Sequence, residues 1–416
     1  MTAQFDIDRR LSDWLQAERP SVAPEHILER VRSETLTTPR RAGWRIADRW
    51  TWRRGAAIRA TARVLVVVAV IASLVALTIV GASLLGPRKP APPFGLTSAG
   101  LIAVDTKDGI VVTRTDGSGR SLITNGDGVD VSPTWSRDGL HLAFWHRDAS
   151  AARWTLVVID ADGANRAVLA DGVRLRARED ILNQPSNLSW SPDSQQIAYA
   201  ADVDAGSSIF IATLGKTGAT QITDPALKAL DPAWSPRGEV IAFQSDASAT
   251  LHVVGVDGAG EHRLSSLTQT AWWPDWAPDG SRLAVAAANG GSTDIWTVSA
   301  DGAELHDISN DPNLEISPSW SPDGERVAWA RALEGPSSRA WIAVADLAAP
   351  TVIEIHVEVD FAPPVWSPDG LRLFSYAPAT GGRFKELLVL DPSGVAPVIR
   401  LPADGNVGNG NWQRLP

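Results

Sequence analysis

Cysteine is absent from the 416 residues, while methionine occurs once and tyrosine twice. Without thiols there is no disulfide framework, no thiolate metal site, no cysteine nucleophile and no lipid-modified N-terminal cysteine. The redox compartment stays open. Charged residues make up 21% and hydrophobic residues 44%, which is ordinary for a folded chain and argues against disorder. Against these scarcities stand 18 tryptophans and a net charge of −10. The length suits two or three domains, or one large all-β body with smaller additions.

One apolar run stands apart. Val64 to Leu85 is a stretch of 22 residues without a charge. As a helix it would reach about 33 Å, enough for a hydrocarbon core of roughly 30 Å. Residues 40–63 carry eight arginines against one acid, Asp48. Only Arg88 and Lys89 follow the run, in the Pro-rich linker at 86–96. The positive-inside rule then keeps residues 1–63 in the cytoplasm and sends 97–416 outward, as a single-pass protein of the cell membrane. A cleaved signal peptide is the competing reading, but its basic region would have to span 63 residues. Charge divides at the same place: the first 63 residues sum to +5 and the remainder to −15. A basic flank suits an anionic inner leaflet, and an acidic exterior excludes nucleic acid as its partner.

Within 1–63, Phe5, Ile7, Leu11, Trp14 and Leu15 recur at helical spacing. Ile27, Leu28 and Val31 begin a second stripe behind Pro24 and Glu25, residues suited to a helix start. So short a segment buries little core, and its helices pack on each other, on the membrane or on a partner. The layout is similar to that of membrane-bound anti-sigma factors, which implies transmembrane signalling. Their His-x3-Cys-x2-Cys zinc signature is missing, because His26 has no cysteine partners.

The outer portion is periodic. Trp135, Trp190, Trp234, Trp276, Trp320, Trp366 and Trp412 recur at spacings of 55, 44, 42, 44, 46 and 46. The first six are followed by the turns SRDG, SPDS, SPRG, APDG, SPDG and SPDG, and then by apolar strands such as LAF, IAY and VAW. Pro presets φ, Asp bonds its own following backbone, and Gly takes the positive φ that closes the turn. Four strands and one aromatic anchor per unit of this size specify propeller blades, which must stack to cover their apolar faces. Residues 101–124 supply three strands without an anchor, and Trp412 supplies an anchor strand with no blade after it. Together they predict a closing blade built from both ends, and hence an all-β, seven-bladed β-propeller over 97–416.

The segments LSWSPDSQQIAY, PDWAPDGSRLAV and PSWSPDGERVAW resemble the TolB-like subclass of WD-type propeller repeats. This resemblance implies the fold over residues 97–416. It leaves function open, since such propellers serve assembly factors, peptidase gating domains and sensors.

Catalytic signatures are scarce. There is no G-x-S-x-G elbow and no H-E-x-x-H, and none of the seven histidines sits at metal-ligand spacing. Acids do precede the anchors: Asp130, Asp231, Asp275, Glu315 and Asp360. Converging on an axis they would bind a cation or a basic peptide, and otherwise they are solvated turn acids. Trp272 and Trp273 are adjacent, so on a regular strand at most one enters the core and the other is a contact aromatic. The longest crossing holds Arg174, Arg176 and Arg178, as a partner-contact loop or a tolerated insertion.

These observations lead to the expectation of a membrane-anchored module that binds a protein, peptide or glycan. It is expected to have no enzymatic activity, cofactor or metal. A propeller enzyme of hydrolase or lyase type with a channel-mouth site is the alternative, and an anti-sigma-like signalling protein is another. Protease added to intact spheroplasts is expected to digest the C-terminal portion; protection until lysis would reverse the assigned topology.

Overall fold

The computed structural model describes residues 98–124, 127–175, 188–264, 270–332, 340–349, 351–359, 363–378, 385–401 and 410–415. The expected cytoplasmic helices, the 64–85 run and the linker lie outside these residues. Among the described residues no helix is long and apolar enough to cross a membrane.

The described chain forms seven four-stranded antiparallel units, with one three-residue 3₁₀ turn at Pro225–Leu227 among them. Blade 1 is the composite: Gly410–Leu415 pairs with Ser98–Thr106, which continues to Gly109–Thr113 and Ser121–Leu122. Blade 2 runs Val129–Trp135, His141–Arg147, Trp154–Asp160 and Ala167–Val173. Blades 3 to 7 repeat the plan, with first strands Ser189–Trp190, Ala229–Trp234, Ala271–Trp276, Leu314–Trp320 and Val365–Trp366. One parallel bridge, Thr293 to Leu314, links blades 5 and 6. The seven-bladed expectation therefore holds, including the blade shared by the two ends.

The turn chemistry explains why the anchors recur. In blade 6, Ser321 Oγ donates to the Asp323 carboxylate and accepts the Arg326 amide, while Asp323 accepts the Glu325 amide. Blades 2, 3 and 7 tie the same knot through Ser136 and Asp138, Ser191 and Asp193, and Ser367 and Asp369. The final glycine has positive φ, 74° at Gly324. Ser194 takes that conformation at 58°, and its hydroxyl accepts the Asp138 amide of blade 2 at 3.0 Å. A position that costs backbone strain thereby also joins two blades.

Adjacent blades are stitched at the anchors. The indoles of Trp190, Trp276, Trp366 and Trp412 donate at 3.0, 3.0, 3.0 and 3.1 Å to carbonyls of the preceding blade: Thr134, Ala233, Ser319 and Val365. At the other three interfaces, the side chain just before the anchor accepts the next anchor's backbone N–H. Those pairs are Asn411 with Trp135, Ser189 with Trp234 and Asp275 with Trp320, at 3.2, 2.8 and 2.7 Å. Every interface carries one stitch, and the ring closes through Trp412 and Asn411. Between the blades lie clusters such as Phe374, Tyr376, Leu387, Val389 and Trp412.

Among the described residues the Trp320 indole nitrogen, in contrast to that of Trp366, meets no acceptor. Both rings are buried alike. Trp366→Phe is expected to cost about 1 kcal/mol more than Trp320→Phe, a difference that isolates the indole bond. Equal losses in denaturant unfolding would remove that bond from the blade interface.

Candidate functional site

The first strands of all seven blades surround one cavity of about 380 Å³. In blades 2, 4, 5 and 6 each of these strands carries a bulge three residues before its anchor, where the register slips. The bulge residues Ser132, Asp231, Trp273 and Ser317 have φ of 56°, 48°, 52° and 54° and line the cavity. A left-handed conformation is strained for any side chain and most of all for a bulky indole. Bulges re-aim side chains, and here the four point to a common space.

Among the described residues four charged side chains belong to the cavity lining: Asp231, Asp275, Arg137 and Arg414. Asp275 stands just before Trp276, recessed in the wall, and accepts the Trp320 amide. Burial pushes its carboxyl up to about 6, opposed by that amide, by the Arg137 charge and by the Trp276 amide. Burial, followed by the neighbouring Arg414 charge, pulls Arg137 down to about 10, while Asp275 acts in the other direction. Burial also lowers Arg414. A carboxyl that titrates near neutrality in a cleft is equipped for proton transfer.

Of the expected acids among the described residues, the structure brings only Asp231 and Asp275 into this cavity. Asp130 and Glu315 stand five residues before their anchors and oppose His146 and Arg331 across their own blades. Asp130 lies 2.6 Å from His146 Nδ1. Glu315 accepts Arg331 Nε at 2.7 Å and Nη2 at 2.6 Å, and Arg331 also reaches Asp311 and Glu354. Burial raises the Glu315 carboxyl despite its partners. A single carboxylate ring is therefore not formed, because the acids sit five, three and one residues ahead of their tryptophans. Asp360 lies outside the described residues.

The tryptophan pair also departs from expectation. The bulge breaks strict alternation, so Trp272 and Trp273 are both half-buried, with ring centroids 6.2 Å apart. Trp273 faces the cavity and packs against blade 6. Arg174 forms an exposed pair with Asp204 at 2.6 Å; Arg176 and Arg178 lie outside the described residues.

Two features escaped the sequence reading. Arg137 and Arg414 stand two residues after Trp135 and Trp412, where the other five repeats have Pro192, Pro236, Pro278, Pro322 and Pro368. That substitution was their signal. The second is a hydroxyl–imidazole–carboxylate chain in blade 4, whose members have no telling spacing. The exposed Ser248 Oγ is 3.1 Å from His252 Nε2, and His252 Nδ1 is 2.6 Å from Glu261 Oε1. Thr250 Oγ1 shares the same ring nitrogen at 3.1 Å. An imidazole oriented by a carboxylate can activate a hydroxyl.

The profile of the TolB beta propeller domain matches residues 145–415. The chain belongs to that family. Residues of this chain are 28% identical over 110 positions to the uncharacterized peptidase YuxL of Bacillus subtilis, covering 24% of this chain and 17% of that protein. They are 30% identical over 97 positions to dipeptidyl-peptidase 5 of Porphyromonas endodontalis, covering 23% and 12%. The matched stretches thus span less than a fifth of either relative. TolB from Acinetobacter baumannii superposes with a TM-score of 0.50 at 21% identity, covering 66% of each chain. The peptidase relatives correct the expectation that the chain is not an enzyme. That expectation leaned on the scarcity of catalytic signatures, whereas repeats similar to these occur in proteins named as peptidases.

The raised Asp275 carboxyl gives a stability signature. Its protonated form is favoured by folding, so the stabilisation is full below the ordinary carboxylate range and is lost as pH rises through about 6. Between about pH 7 and pH 4, wild-type unfolding free energy is expected to gain on Asp275→Asn by up to about 3 kcal/mol. Parallel pH–stability curves for the two proteins would contradict this burial.

Proposed function

We propose that this propeller is an enzyme of hydrolytic type acting on peptides. Its central channel holds the substrate, and Asp275 is the group that gives and takes the proton. The observation that carries this reading is the cavity itself. Every blade contributes to it, strained bulges aim side chains into it, and a carboxyl titrating near 6 stands in its wall. Asp231, from the neighbouring blade, adds a second carboxylate to the same space. The peptidase names of the sequence relatives support peptides as the substrate class. We also propose that the apolar 64–85 run anchors the propeller outside the cell membrane.

A second reading places the chemistry at Ser248, His252 and Glu261, whose spacings of 3.1 and 2.6 Å suit a hydroxyl nucleophile and its base.

One experiment separates the two. Turnover of a peptide library by the full chain would be compared with that of Asp275→Asn and Ser248→Ala. The channel reading expects Asp275→Asn to lose about a hundredfold in kcat/KM, with its acid limb near pH 6 abolished, and Ser248→Ala to retain activity. The reverse pattern, with fluorophosphonate labelling at Ser248, would install the second reading. No turnover by the wild-type chain would reject both.

A further inference from the structure

The peptide-handling reading leaves unexplained why two arginines from adjacent blades join Asp231 and Asp275 in a cavity walled largely by proline, serine and tryptophan. Arg137 and Arg414 occupy the same register in adjacent blades, two residues past their anchors, at the end of the channel formed by the hairpin turns. Proline fills that register in the other five repeats, so cations are confined to one sector of the wall.

Their proximity is imposed by backbone docking. Gln413 Nε2 donates to the Gly139 carbonyl at 2.9 Å in a buried bond, and Gln413 Oε1 accepts the Leu101 amide at 3.1 Å. Gly139, with φ of 71°, lies so close to blade 1 that a Cβ there would stand 1.8 Å from the Arg414 carbonyl oxygen. The turn carrying Arg137 is therefore clamped onto the strand carrying Arg414. Burial and then the Arg414 charge lower Arg137 against the opposing Asp275 charge, and burial lowers Arg414. Both arginines line the cavity, and guanidinium groups on neighbouring blades can receive a planar oxyanion by paired hydrogen bonds.

Asp231 and Asp275 supply the opposite charge from blades 4 and 5, and the Arg137 and Asp275 charges act on each other within the cavity.

We propose that Arg137 and Arg414 form a carboxylate-binding subsite that takes the free C-terminal carboxylate of a peptide held in the channel. The proposal rests on the peptide reading above and adds to it a requirement for a free chain end.

The test compares the full chain's affinity for N-acetyl-tetra-alanine as the free acid and as the C-terminal amide, by calorimetry and by fluorescence of the channel tryptophans. The free acid is expected to bind at least about tenfold more tightly. Arg137→Gln with Arg414→Gln should bring the ratio to about one while leaving amide affinity in place, and inorganic phosphate should displace the acid only weakly. Equal affinity for acid and amide, or binding of neither, overturns the proposal using the wild-type chain alone. So does an unchanged ratio in either single variant that retains its melting temperature. Displacement by phosphate as effective as by the peptide acid would replace the peptide end with a small anion. Acid-selective binding without turnover leaves the subsite standing and removes the enzyme reading; turnover indifferent to C-terminal amidation does the opposite.

Discussion

A buried indole at a repeated place is the constraint on which this molecule depends. Its ring fills the space between neighbouring blades, and its nitrogen or its backbone amide must find an acceptor there. The seven interfaces satisfy this in two ways. Where Asn411, Ser189 or Asp275 stands before the anchor, its side chain takes the next anchor's amide. Elsewhere the next indole turns to the backbone carbonyl. Because every blade both gives and receives, no sheet face remains uncovered once the ring is closed. Closure falls to blade 1, whose strands come from both ends of the described chain.

The same constraint creates the cavity. Anchors locked between blades leave the preceding residues facing the axis, and the bulges crowd extra side chains into the space. Asp275 illustrates the overlap of structure and chemistry, for its carboxylate is a blade stitch and also a titrating group in the wall. The Arg137 and Arg414 pair is held together by a glycine that tolerates the close approach of a neighbouring strand. Backbone docking thus sets the register in which the two arginines line the channel.

Much of this was legible in the sequence because the period of the tryptophans is also the period of the structure. The S-P-D-G turns predicted both the hairpins and the positive-φ glycine, and the unpaired strand sets at 101–124 and Trp412 predicted the shared blade. The site was less legible. Acids near each anchor looked equivalent, but they stand five, three or one residues ahead of it and so at different heights along their strands. The bulges shift that count again, and Asp130 and Glu315 consequently meet His146 and Arg331 across their own blades. Repeats similar to these occur in proteins named as peptidases, so the scarcity of catalytic signatures in this sequence was a poor guide to activity.

By itself the sequence determined the number of blades, their boundaries and the turn chemistry, since each depends on contacts within a few residues or on a strict repeat. Tertiary structure alone decided which charges share the channel. Asp231, Asp275, Arg137 and Arg414 belong to four different blades, and only ring closure brings residues so distant in the chain to one axis.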